Sequence, residues 1–203
     1  MSHYFQNDEA LEHEDISVRF TLFGESFLFQ SDRGVFSKDG LDDGTRLLLE
    51  TIAKTDLGTE ILDLGTGIGP IGVLLAYYDK GRHLTMVDVN ERALACAKKN
   101  AERYGVLSRT EILPSDVYQS LEGRTYDAIV TNPPIRAGKK VTYAMYAGAS
   151  GHLNQGGRLI LVIRKQQGAE SCEAYLKTLY PDVQVAASHK GYRVLIATKQ
   201  GAI

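Results

Sequence analysis

The chain predicts an α/β fold on a mainly parallel β-sheet, and three observations carry the prediction. From Glu60 onward, short apolar runs alternate with amphipathic stretches, the pattern of successive βαβ units. A glycine-rich turn, "DLGTGIGPIG", joins the first of these runs to the stretch after it. The last two apolar runs, "VQVAAS" and "YRVLIATK", are joined only by "HKG", too short for a parallel crossover. One of that pair therefore runs antiparallel.

The elements follow in order. "MSHYFQNDEALEHEDIS" holds five acids and no Lys or Arg, and reads as a peripheral arm. "SVRFTLFGESFLFQS" alternates apolar and polar residues around Gly24-Glu25, a β-hairpin. "DDGTRLLLETIAK" is a helix with Asp42 or Asp43 as its cap. "EILDL" is a short buried strand, "PIGVLLAYY" a helix with Pro70 in its first turn, and "LTMVDV" a strand. "NERALACAKKNAERYG" is a helix capped by Asn90 and stopped by Gly105. "TEILPSD" and "YDAIVTN" are strands, and "YAMYAGASGHLNQGG" is a helix ended by Gly156-Gly157. "RLILVIRK" is a strand and "AESCEAYLKTLYP" a helix. Tyr143 and Tyr146, at i and i+3, suit either base stacking or one buried helix face.

A chain of 203 residues holds one sizeable core, or one domain with an extension. The reading divides it into residues 1–50, an arm, hairpin and helix packing on the core, and residues 51–203, a ligand-binding domain. Hydrophobic residues at 43% and charged residues at 24% are those of an ordinary globular protein. A net charge of −2 gives no global positive field, so a nucleic-acid partner needs a local patch. Cys96 and Cys172 have no disulfide or metal spacing, and read as buried small hydrophobes in a reducing compartment. The N-terminal stretch lacks the apolar segment of a signal peptide, and no run is long enough to cross a bilayer. A cytoplasmic protein without a membrane partner is expected. His3, His13, His83, His152 and His189 have no partner at ligand spacing, so no metal is expected.

The glycine turn is where a doubly wound sheet takes an adenosine-type ligand. Read from Gly67, it satisfies G-x-G-x-x-G, the dinucleotide fingerprint. Two features oppose a nicotinamide oxidoreductase. Asp63, at the strand end before the loop, repels a pyrophosphate and attracts a cationic amino-acid group. Read from Gly65, Pro70 stands where the third glycine belongs. The second strand ends at Asp88, the usual place for an acid that takes a ribose's hydroxyls, and the third at Asp116. Three acids at successive strand ends line one crevice.

This arrangement resembles the class I S-adenosylmethionine-dependent methyltransferases, whose first motif is an acid followed by alternating glycines, here "DLGTGIG". The resemblance implies a Rossmann-like, seven-stranded sheet with its last strand antiparallel, and S-adenosylmethionine as cofactor. It implies Gly65, Thr66, Gly67 and Gly69 under the methionine part, with Asp63 toward the ammonium. Asp88 would hold the ribose and Val89 the adenine face. Asp116 and Val117 would meet the adenine edge, and Asn132 would face the reacting end.

The fourth strand runs into "TNPPIRAGKK". Two prolines cannot continue a central strand, so they fix a stiff turn carrying one amide, Asn132. In methyltransferases acting on planar nitrogens, this strand ends in Asn/Asp-Pro-Pro and an apolar or aromatic residue, here Asn132-Pro133-Pro134-Ile135. A conjugated amino group is a poor nucleophile and gains positive charge as it attacks a methyl. The side-chain oxygen of Asn132 and the carbonyl of Pro133 can orient its lone pair and stabilise that charge. Pro134 and Ile135 can press on the base.

"SDRGVFSKDGLDDGTRLLLE", "DLGTGIGPIG" and "TNPPIRAGKK" together resemble the small-subunit ribosomal RNA guanine-N2 methyltransferase C family, the RsmC-like group. The resemblance spans residues 18–199 and implies that Phe36 and its neighbours help close the active site. Full-length members carry two tandem domains, one degenerate; this chain has one and looks like the short members. RNA, ribosomal or within a small-subunit particle, is the implied partner. Between Asp127 and Glu170 there is no acid, while Arg136, Lys139, Lys140, Arg158, Arg164 and Lys165 fall there, a rim suited to phosphates. Two other readings share the hook or the fold. A protein glutamine-amide methyltransferase usually carries Tyr where Ile135 stands. A non-catalytic RNA-binding module does not need intact Asp63, Asp88 and Asn132.

Overall fold

The structure, a computed structural model, describes residues 15–32 and 40–201. The acidic arm before residue 15, with His3 and His13, lies outside the described residues, and so does Phe36.

Strands β1 (Asp15–Leu22) and β2 (Glu25–Asp32) form the expected antiparallel hairpin. Its turn has positive φ at both Phe23 (50°) and Gly24 (81°), the form that matches strand twist. Val18, Phe20, Leu22, Phe27 and Phe29 alternate onto one buried face. Helix α1 (Asp43–Ile52) follows, with the Asp42 carboxylate capping the Thr45 amide at 2.9 Å.

The regular part comprises β3 (Glu60–Leu64), α2 (Pro70–Tyr78), β4 (His83–Asp88), α3 (Glu91–Arg103), β5 (Thr110–Pro114), β6 (Tyr126–Thr131), α4 (Lys139–Ala149), β7 (Leu153–Arg164), α5 (Ala169–Leu179), β8 (Asp182–His189) and β9 (Tyr192–Thr198). The sheet has seven strands in the order β5-β4-β3-β6-β7-β9-β8. Only β9 runs against its neighbours, so the last strand is the antiparallel one, as expected. Strand order reverses between β3 and β6, which opens a crevice above their C-terminal ends.

Strand residues alternate between two cores. Ile61, Ala128, Val130, Ile160 and Val162 join the hairpin, α1, α2 and α3; Leu62, Leu64, Ile129, Leu159 and Leu161 join α4 and α5. α1 runs through residue 50 without a break, and Leu48 and Leu49 are fully buried in the first core. α3 also closes the free edge of β2. Asn100 accepts from Gln30 N and donates to the carbonyls of Gln30 and Ile68, while the Tyr104 hydroxyl exchanges bonds with the backbone of Leu28. Arg82, 1% exposed, donates to the carbonyls of Ala53, Leu75 and Thr55.

One element is displaced from its sequence reading. The helix expected to run to Gly156-Gly157 starts at Lys139 and ends at Ala149, and both glycines lie within β7. Tertiary bonds decide this. Asp127 accepts from Asn154 through one oxygen and from the amides of Thr59 and Glu60 through the other, pinning the start of β7 beside β3 and β6. A Cβ on Gly157 would stand 2.8 Å from the Asn154 carbonyl, so the chain passes there only as glycine. Tyr146 is buried and Tyr143 stacks on Tyr175 at 4.1 Å, so this pair packs rather than presenting free rings. Cys96 and Cys172 are buried and form no disulfide.

Candidate active site

The crevice holds a cavity of about 360 Å³, within the range of small-molecule sites. Its wall takes Gly65 and Gly67 from the loop after β3, Asp88, Val89 and Asn90 from the end of β4, and Ser115, Asp116 and Val117 from the end of β5. Asn132 and Pro134 follow β6, and Val141 and Met145 come from α4.

The glycine loop is built by its own backbone. Gly65 and Thr66 both donate to the Val87 carbonyl, at 2.9 and 2.8 Å, and Gly67 donates to Asp88 Oδ2 at 2.9 Å. Gly65 and Gly67 have φ of 75° and 57°, and a Cβ on either would meet nothing within 4 Å. Conformation, rather than crowding, calls for glycine at these two positions. Gly69, at φ 89°, needs glycine for its conformation as well, and a Cβ there would also lie 2.8 Å from Met86 Cε.

Asp63 sits behind the loop, fully buried, and is not on the cavity wall. Its Oδ2 accepts from the Thr66 hydroxyl at 2.5 Å and from Gly72 N at 2.8 Å, while its Oδ1 has no partner. Burial pushes its pKa up to about 7 against the pull of the Thr66 and Gly72 hydrogen bonds, with the Asp88 charge adding to the rise. Thr66 is likewise buried in support of Asp63. Asp88, on the cavity wall, takes Gly67 N on Oδ2 and Asn90 N on Oδ1. Val117 carries a φ of 51°, a left-handed backbone that a β-branched residue adopts only under constraint. The constraint is Ser115, whose hydroxyl donates to the Val117 carbonyl and accepts from Ser120 N.

The hook is as stiff as its sequence. Pro134, at φ −75° and ψ 79°, makes an inverse γ-turn in which Ile135 N donates to the Pro133 carbonyl at 2.9 Å. One lone pair of that carbonyl is thereby used. Thr131 is tied to the Leu64 carbonyl through its hydroxyl. The Asn132 Nδ2 donates to Thr45 Oγ1 at 2.9 Å and to Asp42 Oδ1 at 3.3 Å. Its Oδ1 accepts from no described residue. Ile135 packs into the second core and borders a small recess with Lys139 and Tyr143, away from the main cavity. Arg136, Lys139 and Lys140 are exposed outside the hook, as are Arg164 and Lys165 at the end of β7. Arg158 is separate: it donates to the Asp56 carbonyl near the start of β3.

Several residues at the site have no motif. Ser115, Val141 and Met145 line the wall, Asn90 lines it as well as capping α3, and Thr45 and Asp42 hold Asn132 from α1. Chemically, the cavity offers a carboxylate at Asp88, an acceptor at Asp116, apolar walls for a flat ring, and an orphaned carboxylate oxygen behind the loop. That donor set fits an adenosine with a cationic tail. Among the described residues no group of side chains could hold a metal ion.

Residues 26–196 match the methyltransferase small domain. The chain belongs to that family. Its sheet, with the antiparallel last strand, is the class I methyltransferase arrangement. The chain is 40% identical over 198 residues to the uncharacterized protein YbxB of Bacillus subtilis, covering 97% of this chain and 98% of that one. It is 35% identical over 177 residues to the ribosomal RNA small subunit methyltransferase C of Haemophilus influenzae, covering 84% of this chain and 51% of the relative. Among solved structures, it resembles the T. thermophilus 16S rRNA N2 methyltransferase RsmC in complex with AdoMet and guanosine. The TM-score is 0.79 with 28% identity over 93% of this chain and 51% of that one. The chain thus spans about half the length of these rRNA relatives.

Proposed function

We propose that this protein transfers the methyl group of S-adenosylmethionine to the exocyclic N2 amino group of a guanine in ribosomal RNA. The observation that carries the reading is Asn132: its amide protons are held by Thr45 and Asp42, and its oxygen is left for a donor at a cavity fit for the cofactor. The match to the methyltransferase small domain and the likeness to rRNA guanine-N2 enzymes support it. The cofactor supplies an electrophilic methyl group on a sulfonium. Asp88 takes the ribose hydroxyls, Val89 and Val117 flank the adenine, and Asp116 accepts from its amino group. Gly65 and Gly67 let the backbone approach, while Gly69, Thr66 and Asp63 support the loop and the ammonium. Asn132 Oδ1 and the free lone pair of the Pro133 carbonyl accept from the guanine amino group and orient it. The proton becomes acidic once the nitrogen is alkylated and leaves to water. Residues 51–203 carry the cofactor, and the hairpin and most of α1, within residues 1–50, pack on that core. No described helix is long and apolar enough to cross a membrane, and a ribosomal substrate puts the reaction in the cytoplasm.

The direct test is transfer of labelled methyl from S-adenosylmethionine to deproteinised rRNA, small-subunit particles and protein fractions, with the methylated base mapped. Label in a glutamine amide, or none in any RNA, rejects the reading.

Asp63 adds a pH signature. The Asp63 carboxyl, pushed up to about 7 by burial behind the loop, is favoured in its ionised form by the field of a cationic ligand across the glycines, so cofactor binding should release part of a proton. Affinity therefore rises from about pH 6 through about pH 7 and then levels. The fold feels the opposite sign: because the pKa is raised above the ordinary carboxylate value of 3.8, the group's stabilising contribution is complete below that value and is lost as pH rises through about 7. Calorimetry with S-adenosylhomocysteine in buffers of different ionisation enthalpy should detect the proton in the native protein and not in Asp63→Asn. A pH-independent affinity rejects the assignment.

The rim makes a second signature. α4 is preceded by Gly138 as its N-cap, without a side-chain cap or an acid in the first turn, and places Lys139 and Lys140 at its positive end. Such cations cost a few tenths of a kcal/mol each, on the order of 0.3–1 kcal/mol. Phosphates would relieve that cost. Lys139→Ala/Lys140→Ala should hold or raise Tm, raise the KM for RNA, and reduce the log–log salt slope by about 0.7–0.9 per lost phosphate contact. A slope unchanged over a salt series places the RNA elsewhere.

A further inference from the structure

We infer that Thr45 and Asp42 are positioning residues that select the reactive face of the Asn132 amide, so that α1 sets the acceptor on which methyl transfer depends. The inference rests on the N-methyltransferase reading and deepens it.

The oxygen and nitrogen ends of an Asn side chain have almost the same shape, so its partners decide which way it points. Here the partners leave one choice. Asp42 is a carboxylate and only accepts; the same Oδ1 that caps α1 through Thr45 N also receives Asn132 Nδ2. The flipped amide would set a carbonyl oxygen against that carboxylate. Thr45 Oγ1, on a side chain only 2% exposed, takes the shorter bond at 2.9 Å. The site has no slack: a Cβ on Gly44 would lie 2.9 Å from the Tyr192 ring and 3.1 Å from Asp42 Oδ1. Pro133 on the C-terminal side and the Thr131–Leu64 bond on the N-terminal side fix the backbone.

The consequence is chemical. A substrate amino group brings hydrogens, so it needs an acceptor; the flipped amide would meet it donor to donor. The two bonds at Nδ2 also polarise the amide and draw negative charge onto Oδ1, where positive charge develops on the attacking nitrogen. Asp42 thereby acts on the reaction without touching the substrate or exchanging a proton.

Thr45→Val keeps the shape of the side chain and removes its acceptor. We expect kcat to fall about 10-fold, the worth of roughly one hydrogen bond, with KM for RNA and affinity for S-adenosylhomocysteine within about twofold. Thr45→Ser should restore kcat. Asp42→Asn, which keeps a good helix cap, should lower kcat with little change in Tm. In an Asn132→Ala background, Thr45→Val should add nothing, because its effect runs through that amide. The Asn132 side-chain amide resonances, read by NMR without any substrate, should shift in Thr45→Val and return in Thr45→Ser. Resonances that do not move, a full Thr45→Val effect in the Asn132→Ala background, or a loss of kcat that Thr45→Ser does not rescue would each overturn the inference. The NMR result stands even if no RNA is methylated, so a failed substrate reading and a failed positioning role give different outcomes.

Discussion

Asn132→Ala is expected to lower kcat by about two to three orders of magnitude, the range for losing one preorganised group that meets transition-state charge. The affinity for S-adenosylmethionine should stay within about twofold of native. The separation follows from position. Asn132 projects from the end of β6, where its Oδ1 accepts from no described residue. In the proposed binding mode the cofactor's polar groups fall to Asp88 and Asp116, which line the cavity from the ends of β4 and β5. The fold should survive, because Asp42 keeps its bond to Thr45 N and the proline pair still sets the turn. Single-turnover rates with saturating cofactor test the chemistry, and titration tests the binding. A normal rate would reduce the hook to a turn.

Asp88→Ala should have the largest effect on binding. The ribose hydroxyls lose a charged acceptor worth roughly 1.5–3 kcal/mol. That corresponds to an affinity about 10- to 150-fold weaker. The structure adds a reason to expect the upper part of that range. Asp88 also receives the amides of Gly67 and Asn90, so the same substitution frees the glycine loop from the end of β4. Calorimetric titration of S-adenosylmethionine into both proteins decides it, and equal affinities would remove Asp88 from the site.

Local chemistry explains which features could be read from the sequence. The βα alternation, the Asn90 and Asp42 caps, Pro70 at the start of α2 and the hairpin turn all depend on residues within a few positions of one another, and the structure keeps them. The end of α4 depends instead on Asp127 reaching Asn154, Thr59 and Glu60, so a glycine pair that looks like a helix stop is the inside of a strand. Asp63 looked like a crevice acid because it ends a strand beside the loop; its orientation is set by Thr66 and Gly72, which fold back over it. The bonds that hold Asn132 join residues 87 and 90 positions apart, a separation at which no periodicity leaves a trace. Arg158 shared a stretch with the rim cations, yet the strand carries it to the other end of the sheet.

Arg82 bears on how the molecule can come apart. One buried guanidinium holds the carbonyls of Ala53 and Thr55, just beyond α1, and of Leu75 in α2. Letting α1 peel away would take the Ala53 and Thr55 carbonyls from this guanidinium and leave it only Leu75 and Asp79, a costly loss for a buried cation. Opening of α1 is therefore expected to be coupled to loss of packing around α2 rather than to occur as a free hinge. Partly opened molecules with a misplaced Asn132 amide should be correspondingly rare.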